Sequence, residues 1–158
     1  MEIVYKKGDA TAPIEEGPKV IIHCCNNIGA WGAGFVLALS RRWPETRSNY
    51  IKWSKGYAKH EPKYELGNVQ FVPVEEDIWV GNMLGQEGIR SKNSIAPIRY
   101  SAIVSSLWKV REFCQSHNCR VVCPKFGSGL AGGDWKIIEK YLRDILCDSN
   151  IPVTVYEF

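Results

Sequence analysis

The chain has 158 residues, 45% of them hydrophobic and 23% charged, which is the balance of a globular protein with enough mass to bury its own core. Its formal net charge of +3 comes from 20 Lys and Arg interleaved with 17 Asp and Glu, too little for a nucleic-acid groove but mildly favourable to an anionic ligand. No apolar run approaches the roughly 20 residues that cross a bilayer, and no early stretch has the makeup of a secretory leader, so the sequence reads as a cytosolic protein without a membrane partner.

Ile3 to Tyr5 forms a short first strand, and Val20 to Cys24 is a fully apolar second one that runs into a glycine-rich loop, Asn26-Asn27-Ile28-Gly29-Ala30-Trp31-Gly32-Ala33-Gly34. From about Ala33 to Arg42, apolar residues at Phe35, Val36, Leu39 and Trp43 keep helical spacing until Pro44 stops it. The polar stretch from Arg47 to Lys59 predicts another helix, with Tyr50, Trp53 and Tyr57 three and four apart, and the segment from Gly56 to Gly67 is looplike. Two strands follow, Val69 to Val74 and Ile78 to Met83, joined tightly through Glu75-Glu76-Asp77. Leu84 to Pro97, rich in Gly, Ser and Asn, is the longest irregular piece after them and a candidate ligand-covering loop.

Tyr100, Ile103, Leu107, Val110 and Cys114 trace one face of a helix that ends near Ser116, and Arg120 to Cys123 is the next strand. A second glycine-rich loop, Gly127-Ser128-Gly129-Leu130-Ala131-Gly132-Gly133, leads into an amphipathic helix carrying Ile137, Ile138, Tyr141, Leu142 and Ile145, with Asp134 placed as its N-cap. Ile151 to Phe158 is the final strand. No repeat or linker interrupts this alternation. Residues 1–158 are therefore expected to form one α/β/α sandwich around a mixed sheet of about six strands.

Six cysteines raise the question of a metal or a disulfide framework. Cys24, Cys25 and Cys123 lie in apolar strand runs, Cys147 closes a helix, and the pair Cys119 and Cys123 has no matching second pair, so reduced structural thiols and no metal are expected.

Both glycine loops join a buried strand to a helix N-terminus, an arrangement that presents unpaired amides and the positive end of the helix dipole to an anion. Gly127, Gly129 and Gly132 spell Gly-x-Gly-x-x-Gly, but a dinucleotide fold carries that motif at its first strand and needs several β-α units after it, whereas one helix and one strand remain here. Neither loop ends in the Gly-Lys-Ser/Thr of a P-loop, which argues against nucleoside triphosphate hydrolysis. Glycines at one such turn also serve tight packing alone; two such loops on one small sheet favour a ligand with more than one phosphate or sugar.

These residues carry a resemblance. Val20-Ile21-Ile22-His23-Cys24-Cys25-Asn26, Gly32-Ala33-Gly34, Gly127-Ser128-Gly129-Leu130 and the terminal Val153-Thr154-Val155-Tyr156-Glu157-Phe158 resemble a macrodomain, the ADP-ribose-binding fold, along the whole chain from Lys7-Gly8-Asp9 onward. The branch it resembles most contains the ADP-ribose 1″-phosphate phosphatases and the terminal ADP-ribose glycohydrolases. The resemblance implies that Asp9 accepts the adenine amino group and Ala10 supplies the adjoining amide, while Tyr156 and Phe158 pack against the base. It implies that Gly32, Ala33, Gly34 and Phe35 lie along the distal ribose and one phosphate, with Asn26 on the ribose hydroxyls. Lys125, Phe126, Gly127, Ser128, Gly129, Leu130 and Ala131 would cradle the pyrophosphate. An acidic residue at the position of Asp9 also serves as a turn cap, and Tyr156 also suits a core.

Two departures bear on chemistry. The resemblance places the covalent lysine of the glycohydrolases near Met83-Leu84-Gly85-Gln86, where there is none, and Ala131 stands where that group has an aspartate. Lysine-adduct chemistry of that kind is therefore not expected. Asn26, then His23 and Asp134, are the candidate catalytic residues, with Asn27 beside them; a core role for His23 and a helix-cap role for Asp134 stand as alternatives. The resemblance thus implies an ADP-ribose binder that hydrolyses ADP-ribose 1″-phosphate or removes ADP-ribose from adducts on macromolecules, acting as a monomer without a cofactor. A non-catalytic reader is the alternative, and a Trp-rich surface around Trp31 and Trp53 that recognises a protein or nucleic-acid partner is a third.

Overall fold

The structure is a computed structural model that describes residues Met1–Phe158. Six strands form one sheet: β1 (Val4–Lys7), β2 (Lys19–Asn26), β3 (Val69–Glu75), β4 (Ile78–Gln86), β5 (Arg120–Cys123) and β6 (Val153–Glu157). Their order across the sheet is β1-β6-β5-β2-β4-β3, and every neighbouring pair is parallel except the β3–β4 hairpin at one edge. The four helices are α1 (Phe35–Arg42), α2 (Pro44–Ser54), α3 (Tyr100–His117) and α4 (Trp135–Ile145).

Alternation along the buried strands divides the core into two layers. Val20 and Ile22 of β2 face the side packed by Ile103 and Leu107 of α3 and Ile138 and Leu142 of α4. Ile21 and Cys25 face the other side, against Leu39 of α1 and Tyr50 and Trp53 of α2. A central parallel strand covered on both faces must be apolar at successive positions, which explains the run Val20-Ile21-Ile22. The result is the expected mixed six-stranded α/β/α sandwich. No helix is long and apolar enough to cross a membrane, and all six cysteines are free thiols, five of them buried.

Several boundaries move from those the periodicity suggested. The first strand starts at Val4 and runs to Lys7, and α1 begins at Phe35 because Gly34 takes a φ of +75°, which no helical residue adopts. Pro44 ends α1 and is itself the first residue of α2, where its missing N–H costs nothing. β4 continues to Gln86, and the last strand ends at Glu157, leaving Phe158 93% exposed beyond it. The segment expected to be irregular is a small hairpin. Lys92 and Ile95 exchange backbone hydrogen bonds around Asn93 and Ser94, whose positive φ values are those of a primed hairpin turn. Its stems pair through Gln86 and Ile98, and Arg99 clasps its base by donating to the carbonyls of Ala96 and Ile98 and to the Glu87 carboxylate.

Candidate functional site

The topology places a crevice before any side chain is considered. β5 and β2 are parallel neighbours, yet the chain leaves β2 toward α1 on one face and leaves β5 toward α4 on the other. Two loops that part from adjacent strands in opposite directions open a gap at the carboxyl edge of the sheet, the usual ligand position in such folds. The gap here is a cavity of about 610 Å³, within the range of small-molecule sites. Both glycine loops line it, and the hairpin after β4 adds Gln86, Ile89 and Arg90. No Asp or Glu lines it, while Lys125 and Arg90 do.

The first loop is organised by Asn26 at the end of β2. Its Oδ1 accepts the backbone N–H of Ile28 and of Ala30, each at 3.0 Å, and its Nδ2 donates to the Ala30 carbonyl at 2.7 Å. Tyr50 of α2 donates to the Asn26 carbonyl at 2.7 Å, and the Gly29 N–H donates to the Tyr64 hydroxyl at 2.9 Å. An asparagine at the end of a buried strand thus finds its partners within the loop, which leaves a single Nδ2 proton free. No backbone amide from Gly32 to Val36 donates to a backbone carbonyl, so the loop and the first turn of α1 offer a row of open donors.

The second loop behaves alike. None of the amides of Gly127, Ser128, Gly129, Leu130 and Ala131 donates to a backbone carbonyl, and five such donors in a concave turn make an anion nest. Packing accounts for most of the glycines here. A Cβ at Gly127 would lie 2.9 Å from Ile98 Cδ1, one at Gly132 would lie 2.7 Å from the Ala96 side chain, and one at Gly133 would lie 2.5 Å from the Gly127 carbonyl oxygen. Gly129 and Gly32 are different. Neither has a positive φ, a Cβ at either would meet nothing within 4 Å, and both line the cavity.

The hairpin ties the two loops together. The Gly88 N–H donates to Asn27 Oδ1 at 2.9 Å on the side of the first loop, and the Ile98 N–H donates to the Ala131 carbonyl at 3.0 Å on the side of the second. Leu130 and Ile89 stand at the cavity rim, 85% and 46% exposed.

His23 lines the base of the cavity but is only 2% exposed. It belongs to a polar row that crosses three strands, since His23 is the register partner of Asn82 and Asn82 that of Gln70. His23 Nε2 donates to Asn82 Oδ1 at 2.5 Å, Asn82 Nδ2 donates to Gln70 Oε1 at 3.0 Å, and Gln70 Nε2 donates to the Asn49 carbonyl of α2 at 3.0 Å. The direction of this chain assigns the Nε2-protonated tautomer to the imidazole. Trp31 and Phe35 pack on the ring, with centroids 5.6 and 5.8 Å away. Burial outweighs the Asn82 hydrogen bond and holds the pKa of His23 down to about 4, so the ring is neutral at pH 7.

That shift has a definite sign in stability. Between pH 6.5 and about 4 the unfolded chain takes up a proton that the folded chain refuses, so stability is full above pH 6.5 and falls as pH drops toward 4. The loss is expected to reach about 3 kcal/mol at 1.36 kcal/mol per pKa unit. Urea midpoints at pH 7 and pH 4.5 should show that loss in the wild type and much less of it in His23→Gln. Equal losses in both proteins would exclude His23 as the source.

The remaining residues singled out in the sequence fall into two groups. Asn26, Gly32, Ala33, Gly34, Phe35, Lys125, Phe126, Gly127, Gly129, Leu130 and Ala131 come together around the cavity. Asp9, Ala10, Ser128, Asp134, Tyr156 and Phe158 are outside its lining. Asp9 and Ala10 follow β1 at the same carboxyl edge, where Asp9 Oδ1 accepts from both the N–H and the hydroxyl of Thr11. The Tyr156 hydroxyl donates to Glu15 and accepts the Ile14 N–H, which anchors the segment after β1. Ser128 donates to the Lys125 carbonyl, and Lys125 pairs with Glu157 at 3.2 Å. Asp134 is exposed and caps α4 by accepting the Lys136 N–H at 2.9 Å. Its carboxylate is thus placed as the helix cap and not at the cavity. Gln86, Ile89 and Arg90 were not singled out because hairpin and cavity form only in three dimensions; the Gly, Ser and Asn content of their segment was the available signal.

No family model matches the chain. Its structure superposes on that of a macrodomain protein from Streptomyces coelicolor with a TM-score of 0.87 at 44% identity, covering 99% of each chain. Over 98% of each chain it is 24% identical to the ADP-ribose 1″-phosphate phosphatase of Candida albicans, a distant relative. The Thermosipho africanus DarTG solved in complex with ADP-ribose shares the fold at 18% identity, with a TM-score of 0.66 over 88% of this chain and 38% of that one. A mostly parallel sheet with a cavity at the switch between β5 and β2, lined by two loops with open amides, is an α/β architecture whose crevice suits an anion. The chain belongs to the macrodomain family.

Proposed function

We propose that the cavity binds ADP-ribose, as a module that reads or sequesters this nucleotide. The carrying observation is the pair of loops that each hold a run of amides without a backbone partner, Gly32 to Val36 and Gly127 to Ala131, in a cavity that no carboxylate lines. A diphosphate needs many donors and no competing negative charge, and this cavity is built in that way. Family membership and the ADP-ribose held by the DarTG relative support the same ligand. The pyrophosphate then lies between the loops, the adenine toward Asp9, Ala10 and Tyr156 at the β1–β6 edge, and the distal ribose toward Gln86 and the hairpin.

The side chains around the cavity favour binding over hydrolysis. His23 is neutral, with Nε2 already donating, and burial pushes the Cys24 thiol up to about 12 and the Cys25 thiol well above its ordinary value. With Lys125 paired to Glu157 and no carboxylate in the lining, no group is poised to activate a water. A second reading, hydrolysis of ADP-ribose 1″-phosphate or of ADP-ribosyl adducts, is favoured by the end-to-end likeness to the Candida albicans phosphatase.

Calorimetry should give ADP-ribose a Kd on the order of 1 μM, or ~8 kcal/mol. AMP should bind at least about tenfold more weakly, since it leaves most of the loop donors empty, a difference of ~1.4 kcal/mol. Equal affinities would remove the loops from the site. Asp9→Ala should weaken ADP-ribose by ~1–3 kcal/mol if its carboxylate receives the base, and an unchanged Kd would exclude it. Release of phosphate from ADP-ribose 1″-phosphate, or of ADP-ribose from a modified protein, would replace the reader with the hydrolase.

A further inference from the structure

The charge of the chain is not spread evenly. Between residues 41 and 63 stand seven Lys and Arg against two Glu, a surplus larger than the +3 of the whole chain. Folding gathers that surplus on the outer face of the α1–α2 layer. Thr46, Tyr50 and Trp53 turn one side of α2 to the core, which leaves Arg47, Lys52 and Lys55 in solvent. Arg41 is exposed at the end of α1, away from the buried Leu39, and Lys59 is exposed just past α2. None of these five cations has an ion-pair partner, whereas Arg42 is held by Glu75 and Lys63 by Glu65. None of them lines the cavity.

Exposed helix faces usually mix the two signs, often as pairs four residues apart. This one does not, since the single carboxylate of α2 is Glu45 in its first turn, where the helix dipole favours it. From Arg47 to Lys55 the cations span about 12 Å of helix at ~1.5 Å per residue, the scale of a string of phosphates and not of one anion. Tyr57 stands among them 72% exposed, its N–H donating to the Lys52 carbonyl at 2.9 Å. A ring left in solvent beside cations offers a π face to an unpaired base, which a duplex keeps inside its stack. The apolar side of α2 is already spent on the core, so the helix has none to lay into a lipid surface.

We propose that the outer face of α1 and α2 is a docking surface for single-stranded nucleic acid, with Arg41, Arg47, Lys52, Lys55 and Lys59 on the phosphates and Tyr57 stacked on a base. A net charge too small for such a partner when averaged over the chain suffices when it is concentrated on one face.

The test is fluorescence anisotropy of a labelled oligothymidylate of about twelve nucleotides, titrated with the full chain at several salt concentrations. The logarithm of the affinity should fall against the logarithm of salt with a slope of about −2 to −3, as three or four phosphate contacts give at roughly −0.7 each. Lys52→Glu combined with Lys55→Glu should weaken binding at least about tenfold with an unchanged thermal midpoint, and should lower the slope. Tyr57→Ala should weaken it about fivefold or more and leave the slope alone, because stacking carries no charge. Lys136→Glu, an equal change of sign at an exposed, unpaired lysine on α4, should leave binding within about twofold, and saturating ADP-ribose should not displace the strand. No binding at about 50 mM salt, equal weakening by Lys136→Glu, or displacement by ADP-ribose overturns the proposal. So does tighter binding of a duplex of the same length, of polyglutamate or of anionic phosphatidylserine vesicles.

Discussion

Gly129→Val is expected to abolish ADP-ribose binding, by about 100-fold or more, while the thermal midpoint stays within about 2 °C of wild type. A Cβ at Gly129 meets nothing within 4 Å, and its φ is not positive, so neither packing nor backbone strain opposes the substitution. The isopropyl group would instead stand in the cavity, over amides that have no backbone partner. Gly133→Val is the counterpart. Its Cβ would lie 2.5 Å from the Gly127 carbonyl oxygen and 2.6 Å from Ile98 Cδ1, and an overpacked turn of that kind costs roughly 1–3 kcal/mol or more. Differential scanning calorimetry with and without ligand separates the two: a Gly129→Val protein that binds normally would place the phosphates elsewhere, and one that unfolds would refute the open space.

Asn26→Ala should damage stability and binding together. The substitution removes the acceptor for the Ile28 and Ala30 amides and the donor to the Ala30 carbonyl, in a residue only 7% exposed. Leaving such groups unpaired costs about 1–3 kcal/mol each where water cannot replace the partner, so a total near 3 kcal/mol is expected. For a chain of this size that lowers the thermal midpoint by roughly 5–12 °C. ADP-ribose affinity should fall at least about tenfold, ~1.4 kcal/mol, because the amides from Gly32 to Val36 would no longer be held in place. The family resemblance implied a different role, with Asn26 on the distal ribose hydroxyls. Unchanged stability with weakened binding would restore that direct role.

The glycine loops and their neighbours show how far reading residues in order can go. An apolar run too continuous for a half-exposed strand, followed by small residues and then helical spacing, marks both arms of the crevice from local pattern alone. Boundaries were less legible, because Pro44 as a helix stop and Pro44 as a helix start obey the same rule. The hairpin of residues 86–98 escaped because its turn is Asn-Ser and its stems pair at single bridges, signals too weak to separate from irregular chain. His23 illustrates the same limit at a site. Its apolar surroundings favoured a core role, but nothing in the order of residues says that Asn82 and Gln70 lie beside it on neighbouring strands to satisfy it.

Local sequence therefore determined the alternation of strands and helices, the two anion-ready loops and the apolar faces of α3 and α4, since each follows from periodicity and backbone freedom over a few residues. The tertiary structure alone decided which glycines packing demands and which leave space for a ligand, that Asn26 organises its loop, that Asp134 is placed at a helix cap, and that Arg90 reaches the cavity. The physical reason is that each of these depends on what lies opposite a residue. Strand order and the divergence of the chain from β5 and β2 set that, and contacts between segments far apart in sequence leave no mark in either segment by itself.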